Sequence, residues 1–366
     1  MKFLFAGGGT LGSVLPLVAI AQNIQKKDTH AEILWIGTNT GPEKIVIESY
    51  SIPFVSIPAG KLRRYISFKN VTDSLSVFLG FLKALRILFS YKPDVIIGAG
   101  SFVQVPVIYA AGIFFKKTRI IIHQQDIKKG MANALCERFA HLITVSTEKS
   151  QGDFSAAKTS LTGNPIREEI LKGNTAQGFK LFKKMPTAPV ILILGGGTGS
   201  QFINTLVFNT LKDLTAFCCV LHIAGQKKYL ETRLPKQEDR YQSYPLLTKN
   251  LADAYTIADI VVSRAGFSTI SELAALAKPI ILIPIPKTHQ EKNADYFLKK
   301  NAAIVLHQKE LTAQKFVKTI KELLDDAHRR FALSSAICNS TPPDATKKFL
   351  DAIRMMIDQT IKVKKW

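Results

Sequence analysis

Two glycine-rich loops with the same pattern are the part of this sequence best suited to bind a phosphorylated ligand. Gly7–Gly12 and Gly195–Gly199 each follow a short apolar run and precede a helical pattern. Glycine lets the backbone turn sharply and approach a ligand, and the N-terminus of the next helix offers unpaired N–H groups to a phosphate. A third loop of this kind is Gly98–Ser101. Two matching loops that head two matching halves predict a ligand in a cleft between domains.

The residues around these loops disfavour two common nucleotide sites. A nicotinamide dinucleotide fold usually places an acidic residue after its second strand, but Trp35-Ile36-Gly37-Thr38 stands there in this chain. The phosphate-loop pattern Gly-x-x-x-x-Gly-Lys-Ser/Thr is absent as well.

Short apolar runs alternate with helical patterns in both halves, which is typical of parallel α/β domains. The predicted strands are Phe3–Phe5, Ala31–Ile36, Phe54–Ile57, Val95–Ile97, Ile120–His123 and His141–Val145 in the first half, and Val190–Leu194, Cys218–Ile223, Ile260–Ser263, Ile280–Ile283 and Ala303–Leu306 in the second. We therefore predict an α/β protein of two Rossmann-like domains whose parallel sheets face a cleft. The predicted bounds are 1–163 and 189–344, joined by a linker at 164–188.

The last residues, 345–366, form a basic amphipathic pattern. Its apolar positions share one helical face: Phe349, Ile353, Met356 and Ile357. We predict a C-terminal helix that packs back on the N-terminal domain.

Composition places the chain among ordinary globular proteins with an unusual charge. Its 366 residues are 46% hydrophobic and 21% charged, which excludes a disordered, collagen-like or disulfide-knotted chain. The net charge of +21 indicates an anionic partner: nucleic acid, membrane or a phosphate-rich substrate. The four cysteines lack metal-site spacing, which indicates a reducing compartment. We predict no signal peptide and no membrane span, because the three charge-poor stretches each contain a strand, a turn and a helix.

An ordered series of motifs resembles the bacterial MurG family, the peptidoglycan transferases that add N-acetylglucosamine to an undecaprenyl-linked muramyl-pentapeptide. The series runs along nearly the whole chain: Gly7–Gly12 with Pro16, Lys92–Gly98, His123-Gln124-Gln125 with Gly130 and Asn133, Thr162–Arg167, Gly195–Gly199, Ser263–Gly266 with Thr269, Ser271 and Glu272, Lys278-Pro279, and His289-Gln290 with Asn293 and Ala294. The resemblance implies the two-domain GT-B fold. It also implies transfer of N-acetylglucosamine from UDP-N-acetylglucosamine to lipid I, which gives lipid II.

The resemblance also implies which residues bind the two substrates. In the second domain, Glu272 would bond the ribose hydroxyls, Thr269 would lie near the diphosphate and Arg167 would face the cleft. The remaining donor residues would be Gly196, Gly197, Thr198 and Gly199 at the phosphates, and His289, Gln290 and Asn293 at the sugar. The first-domain loops would face the acceptor pyrophosphate through Gly8, Gly9, Thr10, Gly12, Ser13, Gly100, Ser101 and Asn133.

This chain departs from the family pattern where the chemistry takes place. Ser13 replaces the usual histidine of the first loop, and the usual His-Glu-Gln-Asn reads His123-Gln124-Gln125-Asp126. Inverting transfer needs a base that takes the proton of the acceptor hydroxyl. We hypothesise that Asp126 supplies this base, because it restores the carboxylate that is missing at Gln124. His123 is a second candidate, and a strand-end histidine bonded to backbone is an equally good interpretation of it.

The sequence contains no Asp-x-Asp pair of the kind that holds Mg²⁺ or Mn²⁺ on a sugar-nucleotide diphosphate. We therefore expect no metal and no other cofactor. Helix dipoles and cationic side chains would stabilise the leaving UDP instead.

Residues 74–90 form an apolar helical pattern with two stripes, of which only one can face the core. One stripe holds Leu75, Phe78, Leu82, Leu85 and Phe89, and the other holds Val77, Phe81 and Leu88. The predicted membrane contacts are Leu75, Phe78, Leu79, Phe81, Leu82, Phe114 and Phe115, and the basic residues around them are Lys61, Arg63, Arg64, Lys69, Lys83, Arg86 and Lys92. Such a surface suits an anionic membrane. We predict a peripheral protein on the cytoplasmic face of the bacterial plasma membrane.

Other functions stay open at this point. A relative with another acceptor, an enzyme similar to UDP-N-acetylglucosamine 2-epimerases, and a non-catalytic sugar-nucleotide-binding relative would all share the architecture. Nucleic-acid binding is disfavoured, since no zinc finger, RNP pattern or dense basic tail accompanies the positive charge.

Overall fold

The computed structural model describes residues 1–60, 69–197, 199–225, 236–248 and 250–363. Four residues singled out above lie outside the described residues: Lys61, Arg63, Arg64 and Thr198. The chain forms two compact units, residues 1–166 with 342–366, and residues 167–341. Each unit is built on one parallel sheet.

The N-terminal unit contains a seven-stranded sheet with strand order β3-β2-β1-β4-β5-β6-β7. Its strands are β1 (Lys2–Ala6), β2 (Glu32–Thr38), β3 (Phe54–Ile57), β4 (Val95–Gly98), β5 (Arg119–Gln124), β6 (Leu142–Val145) and β7 (Thr159–Leu161). Its helices are α1 (Leu15–Lys27), α2 (Glu43–Ser49), α3 (Lys69–Tyr91), α4 (Gln104–Phe114), α5 (Met131–Cys136) and α6 (Glu148–Gln151), with α14 (Ala345–Val363) from the chain end. Short 3-10 helices lie at Leu11–Ser13, Glu137–Phe139 and Ala156–Lys158.

Successive side chains of β1 enter different cores, because side chains of a strand alternate between the two faces of a sheet. Leu4 packs in a core with α3 and α4, whereas Phe3 and Phe5 pack in a core with α1 and α14. Both faces are covered, which explains why these strands are continuous apolar runs. Phe349 anchors α14 and is fully buried in the second of these cores.

The second unit contains a six-stranded sheet with strand order β10-β9-β8-β11-β12-β13. Its strands are β8 (Val190–Leu194), β9 (Cys219–Ile223), β10 (Tyr241–Tyr244), β11 (Ile260–Ser263), β12 (Ile280–Leu282) and β13 (Ile304–Val305). Its helices are α7 (Thr175–Phe179), α8 (Gln201–Thr215), α9 (Leu251–Ile257), α10 (Phe267–Ala275), α11 (His289–Lys299), α12 (Ala313–Asp325) and α13 (Ala327–Cys338), with 3-10 helices at Glu168–Lys172 and Gln308–Glu310.

The segment 164–188, predicted to be a linker, contributes to the second unit from Arg167 onward. The 3-10 helix Glu168–Lys172 and α7 both pack against α9. The Asn174 N–H donates to Asp253 Oδ1 of α9 at 2.7 Å. Two strands, β7 and β10, were not predicted from the sequence. Both are edge strands, and their sequences, Thr-Ser-Leu and Tyr-Gln-Ser-Tyr, lack an apolar run.

Candidate functional site

The first glycine loop is joined to the loop after β4 by a reciprocal pair of hydrogen bonds. The Gly8 N–H donates to Ser101 Oγ at 3.1 Å, and the Ser101 hydroxyl donates to the Gly8 carbonyl at 2.9 Å. Gly9 has φ +82°, and a Cβ there would meet no atom within 4 Å, so its backbone faces open space. Three further residues predicted for the acceptor lie at this edge, exposed or half-buried: Thr10, Gly12 and Ser13. Ser101 is buried and holds the two loops together.

A chain of buried amides continues from the β4 loop to the end of β5. The Gly100 N–H donates to Gln104 Oε1 at 2.8 Å, and Gln104 Nε2 donates to Asn133 Oδ1 at 2.8 Å. Asn133 Nδ2 then donates to the His123 carbonyl at 2.9 Å and to Gln124 Oε1 at 2.8 Å. Asn133, predicted to bind the acceptor, is therefore buried and positions the loop after β5.

Gln124 organises that loop, residues 126–130, through both ends of its amide. Its Nε2 donates to the carbonyl oxygens of Asp126 at 2.8 Å and Lys128 at 2.9 Å. Its Oε1 accepts from the Gly130 N–H at 3.2 Å as well as from Asn133. The amide has two N–H donors and two lone pairs, and all four are used. This position is therefore built for an amide, because a carboxylate would oppose two carbonyl oxygens.

His123 is fully buried, and both of its ring nitrogens have partners. Nδ1 lies 2.8 Å from Thr144 Oγ1, and Nε2 lies 3.0 Å from Asn164 Oδ1. Because an amide oxygen only accepts, Nε2 carries the proton and Nδ1 accepts from the Thr144 hydroxyl. The ring also packs edge-on against Phe349, with centroids 5.5 Å apart. Burial lowers the pKa of His123 to about 4. This environment gives His123 a structural role and leaves it no lone pair for a substrate proton.

Asp126 is half-buried and stands in the loop that Gln124 holds. It is the one acidic residue in the sequence 123–130. Because both ring nitrogens of His123 are engaged in hydrogen bonds, Asp126 is the remaining candidate in this loop for the base.

The second glycine loop repeats the geometry of the first. Gly196 has φ +85°, close to that of Gly9, and a Cβ there also meets nothing within 4 Å. Ser200 caps α8, with its Oγ accepting from the Ile203 N–H at 3.3 Å. Since α8 has 15 residues, its N-terminus presents a full helix dipole to this loop. Gly197 is exposed in this loop.

Arg264 directly follows β11 and stabilises the second glycine loop. Its Nη2 donates to Ser200 Oγ at 2.7 Å, and its Nη1 donates to the Ile283 carbonyl at 3.0 Å and to Gln308 Oε1 at 2.9 Å. Burial lowers the pKa of Arg264 to about 10, so the guanidinium remains charged at neutral pH. It adds a fixed positive charge next to the glycine loop.

Glu272 and Arg167 form a buried ion pair in the second unit. Arg167 Nη2 and Nε donate to Glu272 Oε1 at 2.7 and 3.2 Å, and both side chains are about 95% buried. The Tyr255 hydroxyl donates to the other oxygen, Oε2, at 3.3 Å. Burial and the Glu272 carboxylate raise the pKa of Tyr255 well above its usual value, so it stays a donor. Oε1 accepts two N–H groups of Arg167, whereas Oε2 accepts only the Tyr255 hydroxyl and keeps a lone pair for a further donor. Arg167 therefore positions Glu272.

The three residues predicted at the sugar lie on α11 in different surroundings. His289 begins the helix and is exposed, and Gln290 Oε1 accepts from the Ile285 N–H at 3.2 Å. Asn293 is fully buried, and its Nδ2 donates to the Ala265 carbonyl at 3.0 Å. Thr269, predicted near the diphosphate, is half-buried in the first turn of α10. Asn293 thus holds the loop between β11 and α10 in place through its hydrogen bond to Ala265.

Sequence reasoning missed several residues that the structure places in these networks, among them Ser200, Tyr255 and Arg264. Ser200 follows the second glycine loop directly, and a serine before an apolar helical run is an N-cap signal that could have identified it. Arg264 lies inside a quoted motif, but its contacts with β12 and Gln308 depend on the sheet. In the described part of the chain, no group of three or more His, Cys, Asp or Glu side chains could hold a metal ion.

The predicted membrane stripe lies on α3 and α4, which pack against each other. Phe78 and Phe114 are 56% and 54% exposed, and the other exposed apolar residues here are Leu75, Leu79, Leu82, Phe89 and Ile113. Phe81 and Phe115 were predicted to contact the membrane, but both are half-buried and pack against the core. Phe89 and Ile113 take their place at the surface. The stripe of Val77, Phe81 and Leu88 is therefore the one that faces the core of the N-terminal unit.

Comparisons with known proteins agree on one family. The N-terminal and C-terminal domain models of glycosyltransferase family 28 match residues 3–145 and 190–353. The UDP-N-acetylglucosamine--N-acetylmuramyl-(pentapeptide) pyrophosphoryl-undecaprenol N-acetylglucosamine transferase of Clostridium perfringens is 38% identical over 326 residues, 88% of this chain and 90% of that protein. The chain belongs to the MurG family of glycosyltransferases. The predicted family is thereby confirmed, and so is the class of enzyme.

Solved structures agree on the fold. The crystal structure of Acinetobacter baumannii MurG covers 97% of this chain and 99% of its own, with a TM-score of 0.70 and 23% identity. A UDP-GlcNAc 2-epimerase from Neisseria meningitidis, bound to UDP-GlcNAc, covers 97% of this chain and 100% of its own, with a TM-score of 0.68 and 14% identity. At these identities the likeness concerns the fold alone. It confirms the predicted architecture of two parallel-sheet α/β domains.

Proposed function

We infer that this chain transfers N-acetylglucosamine from UDP-N-acetylglucosamine to undecaprenyl-pyrophosphoryl-N-acetylmuramyl-pentapeptide, in peptidoglycan synthesis. The observation that carries this inference is the 38% identity to a transferase of that name along nearly the whole of both chains. The two matching glycine loops give each half of the protein the phosphate site that a sugar nucleotide and a lipid pyrophosphate would each require.

The donor half of the reaction fits the second unit. The open backbone at Gly196 and the N-terminus of α8 would bind the diphosphate of UDP, with the Arg264 charge beside them. Glu272, oriented by Arg167 and Tyr255, would accept a hydrogen bond from a ribose hydroxyl at Oε2. His289, exposed at the start of α11, would reach the sugar. These groups hold negative charge in place as the bond to UDP breaks.

The acceptor half fits the first unit, where Gly9 and its neighbours would bind the pyrophosphate of the lipid. In the transfer step, the acceptor hydroxyl oxygen attacks the anomeric carbon while its proton passes to the Asp126 carboxylate. The bond from the anomeric carbon to the diphosphate oxygen breaks, and its electron pair leaves with UDP. Attack opposite to the leaving group inverts the anomeric centre. The α8 dipole and Arg264 would stabilise the leaving diphosphate without a metal ion.

The apolar surface of α3 and α4 would contact the membrane that holds the lipid acceptor. Its exposed leucines and phenylalanines lie beside exposed basic residues: Lys83, Arg86, Lys116 and Lys117. Apolar groups that enter the interface and cations beside anionic headgroups act together in peripheral binding. Within the described residues, no helix combines the length and the apolar character needed to cross a membrane. We therefore propose peripheral binding at the cytoplasmic face of the plasma membrane.

The experiment that tests this function measures transfer from radiolabelled UDP-N-acetylglucosamine to a lipid I analogue in the presence of EDTA. We expect product with EDTA, and loss of most turnover in Asp126→Asn. Asp213→Asn, an exposed aspartate on α8, is the matched control. Full turnover of Asp126→Asn would refute its role as the base, while the transferase function would stand.

A parallel reaction without acceptor separates the transferase from an epimerase. The fold is shared with UDP-GlcNAc 2-epimerases. An epimerised UDP-sugar formed without acceptor, with no lipid product when acceptor is added, would replace the transferase proposal. Binding of UDP-N-acetylglucosamine without either product would indicate a non-catalytic relative or another acceptor.

A further inference from the structure

Three buried polar side chains form a continuous hydrogen-bonded network beside the second glycine loop. They are Tyr241 of β10, His222 of β9 and Asn204 of α8, and each is fully buried. The Tyr241 hydroxyl lies 3.1 Å from His222 Nδ1, and His222 Nε2 lies 3.1 Å from Asn204 Oδ1. Asn204 Nδ2 donates to the Ala224 carbonyl oxygen at 3.2 Å. The network thus joins two adjacent strands and a helix to the loop that follows β9.

The donors and acceptors of this network follow one order. A backbone carbonyl only accepts, so the Asn204 amide presents its nitrogen to Ala224 and its oxygen to His222. The ring nitrogen that faces this oxygen, Nε2, therefore carries the proton, and Nδ1 accepts from the Tyr241 hydroxyl. Burial lowers the pKa of His222 to about 3, so the ring is neutral at physiological pH and this order is kept. Each hydrogen bond therefore fixes the orientation of the next side chain.

The far end of the network determines where the second glycine loop lies. Gly199 of that loop packs directly against Ala224 and Gly225, and a Cβ at Gly199 would clash with the Ala224 carbonyl oxygen. Gly199 has φ +77°, and its N–H donates to the Gly196 carbonyl at 3.0 Å, which closes the turn. The carbonyl group that Asn204 holds is therefore in contact with the turn itself. A shift of Ala224 would displace the turn from Gly196 to Gly199.

Asn204 also belongs to the first turn of α8. Its backbone N–H donates to the carbonyl of Ser200, the N-cap of this helix, at 2.9 Å. One residue thus connects the N-terminus of α8 with the loop after β9. The two groups inferred above to bind the diphosphate of UDP are the open backbone at Gly196 and this helix N-terminus. Their relative position depends on the orientation of the Asn204 side chain, which His222 sets.

We propose that His222 is a positioning residue for the donor reaction, which aligns the diphosphate-binding backbone of the second unit through Asn204 and Ala224. His222 is fully buried, so it acts through these neighbours rather than by contact with the substrate. Tyr241 completes the arrangement, because its hydroxyl satisfies the ring nitrogen that Asn204 does not reach. The inference rests on the proposed function for the identity of the ligand.

The test measures the affinity for UDP and the KM of each substrate in variants of the whole protein. His222→Leu removes both hydrogen bonds of the ring. His222→Gln keeps a donor and an acceptor in the side chain. Tyr241→Phe removes only the hydroxyl at the start of the network. The matched control is Tyr244→Phe on the same strand, because the Tyr244 hydroxyl donates to the Leu181 carbonyl at 2.7 Å, outside the network.

Calorimetric titration with UDP gives the Kd without an acceptor. One buried hydrogen bond corresponds to roughly a three- to tenfold change in an equilibrium constant. We therefore expect the affinity for UDP to fall about tenfold in His222→Leu and about threefold in Tyr241→Phe, with matching rises in the KM for the sugar nucleotide. His222→Gln and Tyr244→Phe should stay within about twofold of wild type. The KM for the lipid I analogue should stay the same, because the acceptor is assigned to the other unit.

Thermal melting verifies that each variant is folded, and Tyr241→Phe keeps the test decisive if His222→Leu does not fold. Wild-type affinity for UDP in the folded variants His222→Leu and Tyr241→Phe would overturn the inference. An equal rise of both KM values would also overturn it, since that result indicates a general loss of structure. Wild type that binds UDP but forms no lipid product would refute the transferase function and leave the positioning role standing. Wild type that does not bind UDP would overturn both.

Discussion

The position of Gln124 yields the sharpest prediction about this protein. The family pattern has a glutamate there, so Gln124→Glu restores a family residue and would ordinarily be expected to preserve activity. The structure predicts the opposite. Gln124 Nε2 donates to two carbonyl oxygens at 2.8 and 2.9 Å, and a carboxylate would place a negative oxygen against both.

The magnitude follows from the two donors that are lost. Leaving a buried carbonyl without its hydrogen bond costs about 1–3 kcal/mol. Because the loop 126–130 can shift to reach water, we expect a loss of about 2–4 kcal/mol in the free energy of unfolding at neutral pH. The loop also carries Asp126, so its displacement should lower turnover by about tenfold or more, which corresponds to a rise of at least about 1.4 kcal/mol in the activation barrier.

The pH dependence of this loss provides an internal check. The buried, carbonyl-facing Glu would have its pKa raised above the unfolded value near 4.3. Its protonated form can donate one hydrogen bond, so the variant should lie closest to wild type in acid and lose stability as pH rises through the raised pKa. Urea unfolding of Gln124→Glu and wild type at a series of pH values measures this difference.

Gln177→Glu is the matched control, because Gln177 is exposed at the surface of the second unit and the substitution adds the same charge. We expect it to leave stability and turnover unchanged. A Gln124→Glu variant as stable and as active as wild type at neutral pH would refute the reasoning, since it would mean that the amide donors do not hold the loop.

Three further predictions concern other parts of the molecule. Arg167→Met should cost about 3–5 kcal/mol of stability and raise the KM for the donor, because the Glu272 carboxylate would be left buried without its cation. The control Arg354→Met removes an exposed i,i+4 ion pair and should cost less than about 0.5 kcal/mol. Equal losses of the two variants in urea unfolding would contradict this prediction. Wild type should lose stability as pH falls from about 6.5 toward 4, because the His123 ring takes up a second proton only in the unfolded chain. His123 alone contributes about 1.4 kcal/mol per pH unit to this slope, and His123→Gln should remove that contribution; an unchanged slope in the variant would argue against it. Phe114→Ser should weaken vesicle flotation several-fold at unchanged thermal stability, and undiminished flotation would exclude Phe114 from the membrane contact.

Interior strands were easier to locate from the sequence than edge strands: both missed strands, β7 and β10, lie at edges, although the edge strands β3 and β13 were located. Val95–Ile97 and Val190–Leu194 lie inside their sheets and are buried on both faces, so hydrophobic burial selects continuous apolar runs that can be read directly. The edge strands β7 and β10 each pair with a neighbouring strand on one side only. They are held by backbone pairing to β6 and β9, which leaves no apolar run in the sequence.

Side-chain roles were less predictable than side-chain positions. His123, Asn133 and Asn293 were all predicted to serve a substrate; His123 lies near the end of β5, Asn133 in α5 and Asn293 in α11. Each is buried, with its polar atoms bonded to neighbouring protein groups. A motif marks where such residues occur, but exposure and hydrogen-bond partners depend on neighbouring strands that are distant in sequence.

The sequence by itself determined the α/β class and the two glycine loops, because apolar periodicity and glycine positions are local consequences of strand burial and tight turns. The family followed from the resemblance of its ordered motifs to those of MurG proteins. Only the tertiary structure decided that Gln124 must be an amide, that Arg167 pairs with Glu272, and that Phe89 rather than Phe81 meets the solvent. The ion pair and the exposure of Phe89 depend on contacts between segments far apart in the chain, 105 residues in the case of Arg167 and Glu272. Gln124 bonds to carbonyl oxygens only two and four residues away, but the conformation of that loop cannot be read from its sequence. The hydrogen-bond partners, the burial and the charge environment of these side chains are set by how the strands and helices pack.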